Sequence, residues 1–472
     1  MTTVTDFFKQ GGGLSDTLSH FELRTGQVEL VEAIEKTLSE RTHLLAEAGT
    51  GIGKTFSYLL PTLLQNKRVV ISTATKHLQE QIFFKDLPLV EKALNKKVSA
   101  CLLKGRSNYF CHYRYDMFMG SSFVLNKKQA KKVSQVQDWV DKTTSGDLSE
   151  IAVFVDEDYA FKKKITSTTE NCLGGECPYF DDCFVQKVRE KAKKSDVVVV
   201  NHALLMADIV LKETGFAEIL PETDVVVIDE AHHLPKIATE AFAEQISARQ
   251  LMELAKDALQ VYRTDAGDVE GFEACVDNLM QAIGDFRDAL SDEQRDGQVQ
   301  LGKLKELTKP YKKFKALMQA FSVFLRGLES LAKRSNDLQK IYERAEITAE
   351  KIKEVFSPAP VKNKSQNTDS HTDNPEEQRQ EQLQEQTAQS VAILEWNEDY
   401  FRAARLPIHL GYRFQNVMEA YADSWLFVSA TLSVGQSFDF FIYSLGLPSD
   451  IPTLQVNSPF NYEQQSVIHI LP

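Results

Sequence analysis

Two stretches of this chain carry residue types whose spacing suits phosphate chemistry. Ala46-Glu-Ala-Gly-Thr-Gly-Ile-Gly-Lys-Thr55 joins a short apolar run to a helix-like segment beginning near Phe56, the context that a phosphate-cradling loop requires. Gly49, Gly51 and Gly53 let successive backbone amides, including those of Thr50 and Ile52, turn toward a bound anion. Lys54 can reach the outer phosphates, and the Thr55 hydroxyl can ligate magnesium. Ala48 stands where the usual pattern has its first glycine. The second stretch, Asp224-Val-Val-Val-Ile-Asp-Glu-Ala-His232, sets two carboxylates at the end of another apolar run. There Asp229 is expected to hold magnesium, Glu230 to orient and deprotonate the water that attacks the γ-phosphate, and His232 to sense the outcome. An isolated Asp-Glu pair would more often be a solvated strand end. Beside a phosphate loop it reads, with Lys54, as a catalytic set.

A different chemistry is written in the cysteines. Of six, Cys172, Cys177 and Cys183 crowd into twelve residues and Cys111 precedes them. Four thiolates suit an iron-sulfur cluster or a tetrahedral zinc, and the x4 and x5 spacings are looser than the x2 pairs of zinc ribbons. The spacing leans toward iron and leaves zinc open. Gly174, Gly175 and Pro178 imply irregular backbone around the thiols, whereas Cys101 and Cys275 lie in apolar patterns and read as core residues.

Several residue groups could touch a nucleotide base or a nucleic-acid strand. Gln27 could read adenine through a two-point amide contact, or serve as a cap or surface residue. Thr73, Thr75, Gln79 and Gln81 follow an apolar run and offer hydroxyls and amides to a phosphate backbone. Lys104, Arg106, Tyr109 and Arg114 interleave basic and aromatic groups beside Cys111, a composition that suits single-strand binding. Lys187, Arg189, Lys191, Lys193 and Lys194 follow Cys183, so folding around a cluster would draw both basic groups toward one surface. Asn201 and His202 could line the same path, although a helix cap accounts equally well for Asn201.

These groups must be positioned by buried elements. Short apolar runs at His43 to Ala46, Val69 to Ser72, Val197 to Val200, Val225 to Ile228 and Trp425 to Ser429 predict strands, several followed by helical patterns. Val28, Val31, Ile34 and Leu38 predict an amphipathic helix after an N-terminal tail of about a dozen residues. The fold class is α/β, a parallel sheet with helices on both faces, interrupted by two insertions. The first, residues 101–194, holds the four clustered cysteines. The second, residues 235–400, carries helical stripes such as Phe314, Leu317, Phe321, Leu325 and Leu328, and a polar segment near 357–389 expected to be disordered.

Composition narrows the class. The 472 residues contain 43% hydrophobic and 26% charged residues, which excludes a collagen-like, disulfide-scaffold or largely disordered chain. Net charge is −13, so an anionic strand must be held by a local patch. No signal peptide or membrane-spanning run is legible, and the cytoplasm is the expected compartment.

The Asp-Glu-Ala-His box, together with Ser429-Ala-Thr-Leu432 after another predicted strand, resembles the first motor domain of a superfamily 2 helicase. With the four cysteines between loop and box, the chain resembles the bacterial DinG and YoaA group of iron-sulfur DNA helicases, relatives of XPD, the YoaA-like branch above all. That resemblance implies a RecA-like motor, divided as residues 1–100, 195–234 and 401–440, around an iron-sulfur domain and a helical arch. It also implies ATP with magnesium, a [4Fe-4S] cluster, and 5′ to 3′ translocation on single-stranded or forked DNA. The further expectations are repair or replication partners, no membrane, and a monomer. Residues 441–472 would begin a second motor domain, yet the 40 residues after Leu432 contain no Lys or Arg. A truncated chain with weak nucleotide binding and turnover is expected, because an arginine finger is worth ~10³ to 10⁵ in rate. Two rivals stay open: a nucleotide-switched binding module, and a zinc-containing ATPase with a substrate other than nucleic acid.

Overall fold

The computed structural model describes residues 4–18, 21–120, 127–151, 159–169, 171–214, 218–357, 390–408 and 410–460. All but the first residue of the polar segment 357–389 lies outside these, as do residues 461–472. The chain divides into two compact units, Met1–Ala241 with Leu410–Pro472, and Phe242–His409.

In the first unit the five expected strands form as β1 (His43–Ala48), β2 (Val69–Thr73), β4 (Val197–Asn201), β5 (Val225–Asp229) and β10 (Ser424–Ser429). Val and Ile recur in them because β-branched side chains pack well on a pleated surface covered on both faces. Two short strands, β3 (Ala100–Leu102) and β11 (Thr453–Val456), complete a seven-stranded sheet in the order β11-β1-β10-β5-β2-β4-β3. Every pairing is parallel, so the class is α/β as expected. All seven strands therefore end on one edge, where open α/β sheets place their ligands.

Helix α1 (Thr25–Glu40) packs Leu30, Val31, Ile34 and Leu38 into the core, with Gln27 on the same buried stripe. The N-terminal residues differ from the expected tail. Val4, Phe8 and Leu14 are buried in the core shared with α1, because each apolar side chain finds a slot although the segment has no periodicity to announce it. Cys101 is buried on β3, as its apolar neighbours implied.

Within the first insertion, Tyr109, Phe110, Phe118, Val136, Leu148, Phe161, Ile165 and Phe184 gather into a small core of their own. The second unit holds four long helices, Ala248–Asp265, Phe272–Glu293, Thr308–Leu331 and Asn336–Phe356, around Phe286, Phe324 and Leu328. Its first long helix opens with a reciprocal cap between Ser247 and Gln250. It also contains an antiparallel sheet that helical patterning alone did not reveal, β6 (Glu244–Ser247), β7 (Gly297–Gln300), β8 (Ser390–Trp396) and β9 (Phe401–Pro407), in the order β6-β9-β8-β7. Residues 401–407 pair along their whole length with β8, so they belong to this unit rather than to the end of the motor. Cys275 is half-buried, one position off the stripe of Phe272, Val276 and Leu279.

One buried carboxylate fastens distant parts of the first unit. Asp208, fully buried on the helix His202–Thr214, accepts from the Leu220 amide at 3.0 Å, the Tyr421 hydroxyl at 2.6 Å and Lys212 Nζ at 3.2 Å. It ties the approaches to β5 and β10 together. Asp208→Ala leaves these donors without their acceptor and is expected to cost about 3 to 5 kcal/mol in denaturant-derived stability. A loss below about 1 kcal/mol would show that the donors re-pair with water or other groups.

Candidate nucleotide site and cysteine cluster

The phosphate loop lies between β1 and helix α2 (Lys54–Leu64), at the edge where the strands end. Gly51 and Gly53 adopt φ of 84° and 90°, which a side chain would strain. A Cβ on Gly53 would stand 2.3 Å from Gln27 Nε2, and one on Gly49 would stand 2.6 Å from the Ser458 amide nitrogen. The loop is stapled from outside. Gln27 Nε2 donates to the Gly53 carbonyl at 3.2 Å, Arg24 Nη1 donates to the Gly51 carbonyl, and Ser458 Oγ donates to the Thr50 carbonyl at 2.8 Å. Lys54 Nζ reaches the Ala48 carbonyl at 3.3 Å, so its cation lies over the loop it would serve. Arg24 had no signal in sequence beyond preceding the first helix.

Two strands away in the sheet, β5 delivers Asp229 and Glu230, and β10 between them and the loop delivers Ser429. Asp229 is buried, and burial followed by the neighbouring Glu230 pushes its carboxyl up to about 7 against the opposing pull of Lys54. Glu230 takes φ of 56°, the left-handed region that costs a non-glycine residue on the order of 1 kcal/mol. Ser429 Oγ lies 3.3 Å from Glu230 Oε2 and 2.7 Å from His232 Nδ1, and that ring nitrogen is 3.4 Å from Glu230. Burial, helped by His233, holds the His232 imidazole below its ordinary value. A buried carboxylate beside a second one, with a lysine and the Thr55 hydroxyl on the facing loop, is a donor set that fits a hard divalent cation.

Glu47, inside the loop motif, was missed as a functional residue. Its carboxylate accepts from the Leu432 and Ser433 amides at 2.6 and 2.7 Å and from Gln455 Nε2 at 2.8 Å. Burial works against ionisation there, and these hydrogen bonds overcome it and hold the carboxyl below its ordinary value. The signal available in sequence was a charge interrupting an otherwise apolar strand.

Cys111, Cys172, Cys177 and Cys183 line one cavity, together with Arg106 and Arg189. Burial is the main reason that the Cys111 thiol is pushed up to about 11, and the other three thiols add to it. His112 stacks on both Tyr179 and Phe184, with centroids 5.7 and 5.4 Å away, and so forms an aromatic wall at the cavity. Among the described residues no three His, Cys, Asp or Glu side chains converge closely enough to hold a single ion. Four thiols lining one cavity are a donor set that fits an iron-sulfur cluster.

The candidate strand contacts divide. Thr75 and Gln81 are exposed, Thr75 also capping the helix Lys76–Gln81 by accepting from the Leu78 amide at 3.2 Å. Thr73 and Gln79 are fully buried, so they are not presented to a strand. Lys104 and Tyr109 are corrected too. The Lys104 side chain is only 4% exposed and pairs with Glu80 and Asp147 at 2.8 Å each, while Tyr109 is buried with its hydroxyl accepting from the Lys104 amide at 3.1 Å. Two carboxylates consume a cation that composition had assigned to DNA. Arg106 faces the cysteine cavity, Arg114 Nη1 meets Met117 Sδ at 3.8 Å, and Lys187 and Lys193 pair with Asp182 and Glu190. Asn201 Oδ1 accepts from the Leu204 amide at 2.9 Å and is a cap; His202 is buried with Nδ1 2.7 Å from Ser72 Oγ.

A family model described as DEAD/DEAH box helicase matches residues 29–136. ATP-dependent DNA helicase YoaA of Haemophilus influenzae is 35% identical over 471 residues, covering 98% of this chain and 68% of that relative. The protein of the same name from Escherichia coli is 36% identical over 475 residues, covering 99% and 69%. The chain belongs to the YoaA family of ATP-dependent DNA helicases. The parallel sheet with its loop and Asp-Glu box is accordingly a RecA-like motor domain. Among solved structures, one named XPD_Helicase matches with a TM-score of 0.45 at 14% identity, covering 93% of this chain and 62% of that one.

The Lys104 pairing has a pH signature. Burial opposes ionisation of Asp147, but Lys104 and Ser149 hold its carboxyl below the ordinary value; burial likewise opposes the Lys104 cation, but Asp147 and Glu80 hold it above its own. Asp147 therefore adds stability above its unfolded value near ~3.9, lost as pH falls through the lower folded value. Lys104 adds stability below its unfolded value near ~10.4, lost as pH rises through the higher folded one. Lys104→Ala is expected to cost about 3 to 5 kcal/mol at neutral pH by stranding two carboxylates, and to flatten both limbs of a stability-pH profile. An unchanged denaturation midpoint with a shallower salt dependence of DNA binding would return Lys104 to the strand path.

Proposed function

We propose that this protein couples ATP hydrolysis to 5′ to 3′ movement along single-stranded DNA. It acts as a helicase on single-stranded or forked DNA during repair or replication, in the cytoplasm, and carries a [4Fe-4S] cluster on Cys111, Cys172, Cys177 and Cys183. The observation that carries this reading is the meeting of three groups at the ends of neighbouring strands: the loop with Lys54 and Thr55, the Asp229-Glu230 pair, and Ser429 bridging Glu230 to His232.

Phosphoryl transfer asks a protein mainly for positioning and electrostatic stabilisation. The amides of Gly49, Thr50, Gly51, Ile52 and Gly53 would cradle the phosphates, with Lys54 neutralising the outer charge. Thr55 and Asp229 would hold magnesium, whose chemistry is to neutralise the phosphate oxygens. Glu230, held in a strained backbone conformation, would accept the proton of the attacking water. Ser429 and His232 touch that carboxylate and would carry its state to the segment that follows β10. Gln27, committed to the Gly53 carbonyl, would set the loop's shape and the edge against which adenine rests. Exposed Thr75 and Gln81, and the Arg106-Arg189 side of the cysteine insertion, are places where a strand would lie.

Lys54→Ala and Glu230→Gln separate binding from turnover. Lys54→Ala is expected to weaken nucleotide binding, whereas Glu230→Gln retains binding and loses DNA-stimulated hydrolysis by a factor of about 10² or more. Wild-type turnover in Glu230→Gln would remove Glu230 from the role of base, and no DNA stimulation in the wild type would favour a nucleotide-switched module.

Anaerobic preparations are expected to be brown, with about four iron and four sulfide per chain. Serine at Cys111, Cys172, Cys177 or Cys183 should remove the colour, while serine at Cys101 or Cys275 should not. Stoichiometric zinc without labile sulfide would reject the cluster.

A further inference from the structure

Phe460, shortly after the end of β11, is a large aromatic side chain left 44% exposed. A single exposed ring is common on protein surfaces and by itself signifies nothing. This one is held against the phosphate loop. β11 runs beside β1 as far as the pairing of Val456 with Ala48, and the chain then follows the outer side of the loop residue by residue. The Gly49 amide donates to the Val456 carbonyl at 3.0 Å, while Ser458 Oγ donates to the Thr50 carbonyl at 2.8 Å and accepts from the Phe460 amide at 3.3 Å. The ring lies over Gly51, where a Cβ would stand 2.6 Å from its Cζ.

The order of the strands says what would lie on that ring. β1, which carries the loop, has β10 and then β5 on one side and β11 on the other. The Asp229-Glu230 pair, assigned to the outer phosphate and its magnesium, stands at the end of β5. A nucleotide whose phosphates fill the loop with the outermost one toward that pair extends its base the opposite way, toward β11. Two further contacts mark the same side. Gly26, at the start of α1, sits so close to Val456 that a Cβ there would strike its side chain, and Arg24 Nη1 donates to the carbonyl of Gly51, the residue that the ring covers. Gln27, the candidate reader of adenine, is on the first turn of the same helix. An amide can pair with the edge of a base but offers nothing to its face. An exposed aromatic ring offers a face, and bases stack on such rings.

We propose that Phe460 is a nucleotide-binding residue, its exposed ring forming the platform on which the base of the bound nucleotide stacks. This assignment rests on the reading of the loop as the phosphate site. Every base has a π-face, so the ring adds affinity without choosing among bases, and the choice is left to polar groups such as Gln27.

The test compares ADP with inorganic pyrophosphate, which can fill the loop but has no base. The readout is the shift in the thermal midpoint of the full chain over a concentration series of each, with magnesium. Phe460→Leu keeps an apolar side chain against Gly51 without an aromatic face, and Phe460→Tyr keeps the face. In Phe460→Leu the ADP concentration for half-maximal stabilisation should rise about tenfold while that for pyrophosphate stays unchanged, and Phe460→Tyr should match wild type with both. An unchanged ADP response in Phe460→Leu would overturn the proposal, and so would an equal loss for ADP and pyrophosphate, which would make the ring a support of the loop rather than a seat for the base. A wild type stabilised by neither ADP nor pyrophosphate would instead remove the reading of the loop, and the platform with it.

Discussion

Two adjacent carboxylates at the end of an apolar strand repel each other in a place where water screens poorly. Asp229 and Glu230 are in that position, and Asp229 is buried at the end of β5. The arrangement is tolerable only if a cation can be supplied, and much of the first unit is organised to supply it. Lys54 faces the pair from the loop, and its pull already opposes the other influences on Asp229. The glycines, the staples from Gln27, Arg24 and Ser458, and the placement of Thr55 at the start of α2 all serve to fix that opposing face.

The strand between the two faces has the second part. β10 is hydrogen-bonded to β1 on one side and to β5 on the other, so whatever follows it is in reach of both. Ser429 at its end touches Glu230 and His232, and three residues later the chain is caught by Glu47 of β1. A shift of the Glu230 carboxylate therefore acts on the segment 429–433, and a shift of that segment acts on the strand that carries the loop. Communication of this kind needs discrete hydrogen bonds between rigid elements, which is what the geometry provides.

The chemistry-bearing motifs were legible in sequence because their residues are consecutive. Loop, Asp-Glu box and the Ser-Ala-Thr-Leu stretch each follow a β-branched run that can only be a buried strand, so both the elements and the site edge came from pattern. What pattern could not give was partnership across the chain. Lys104 looked like a free cation because Glu80 and Asp147 lie 24 and 43 positions away in sequence and meet it only in the fold. Thr73 and Gln79 were polar residues after a strand, and the choice between strand path and interior depended on packing. β3 and β11 are three and four residues long, too short for alternation to register, and the antiparallel strands of the second unit were masked by the long helices around them. Ser429 was read as part of a motif, while Glu47 received no reading, because a clamp is visible only from both ends.

The buried Lys104 pairing bears on how far the cysteine insertion is a removable cassette. Glu80 belongs to the helix after β2, Lys104 to the turn after β3, and Asp147 to the body of the insertion, with Ser149 at 3.2 Å completing the set. Cutting the chain at residue 101 and grafting in the corresponding piece of a relative would move the lysine and one acid together and leave the other acid behind. The interchangeable part is thus larger than the cysteine segment and begins on the motor, before Glu80. Chimeras joined at the cysteine boundary inherit half of a charge network, whereas those joined upstream of residue 80 inherit all of it.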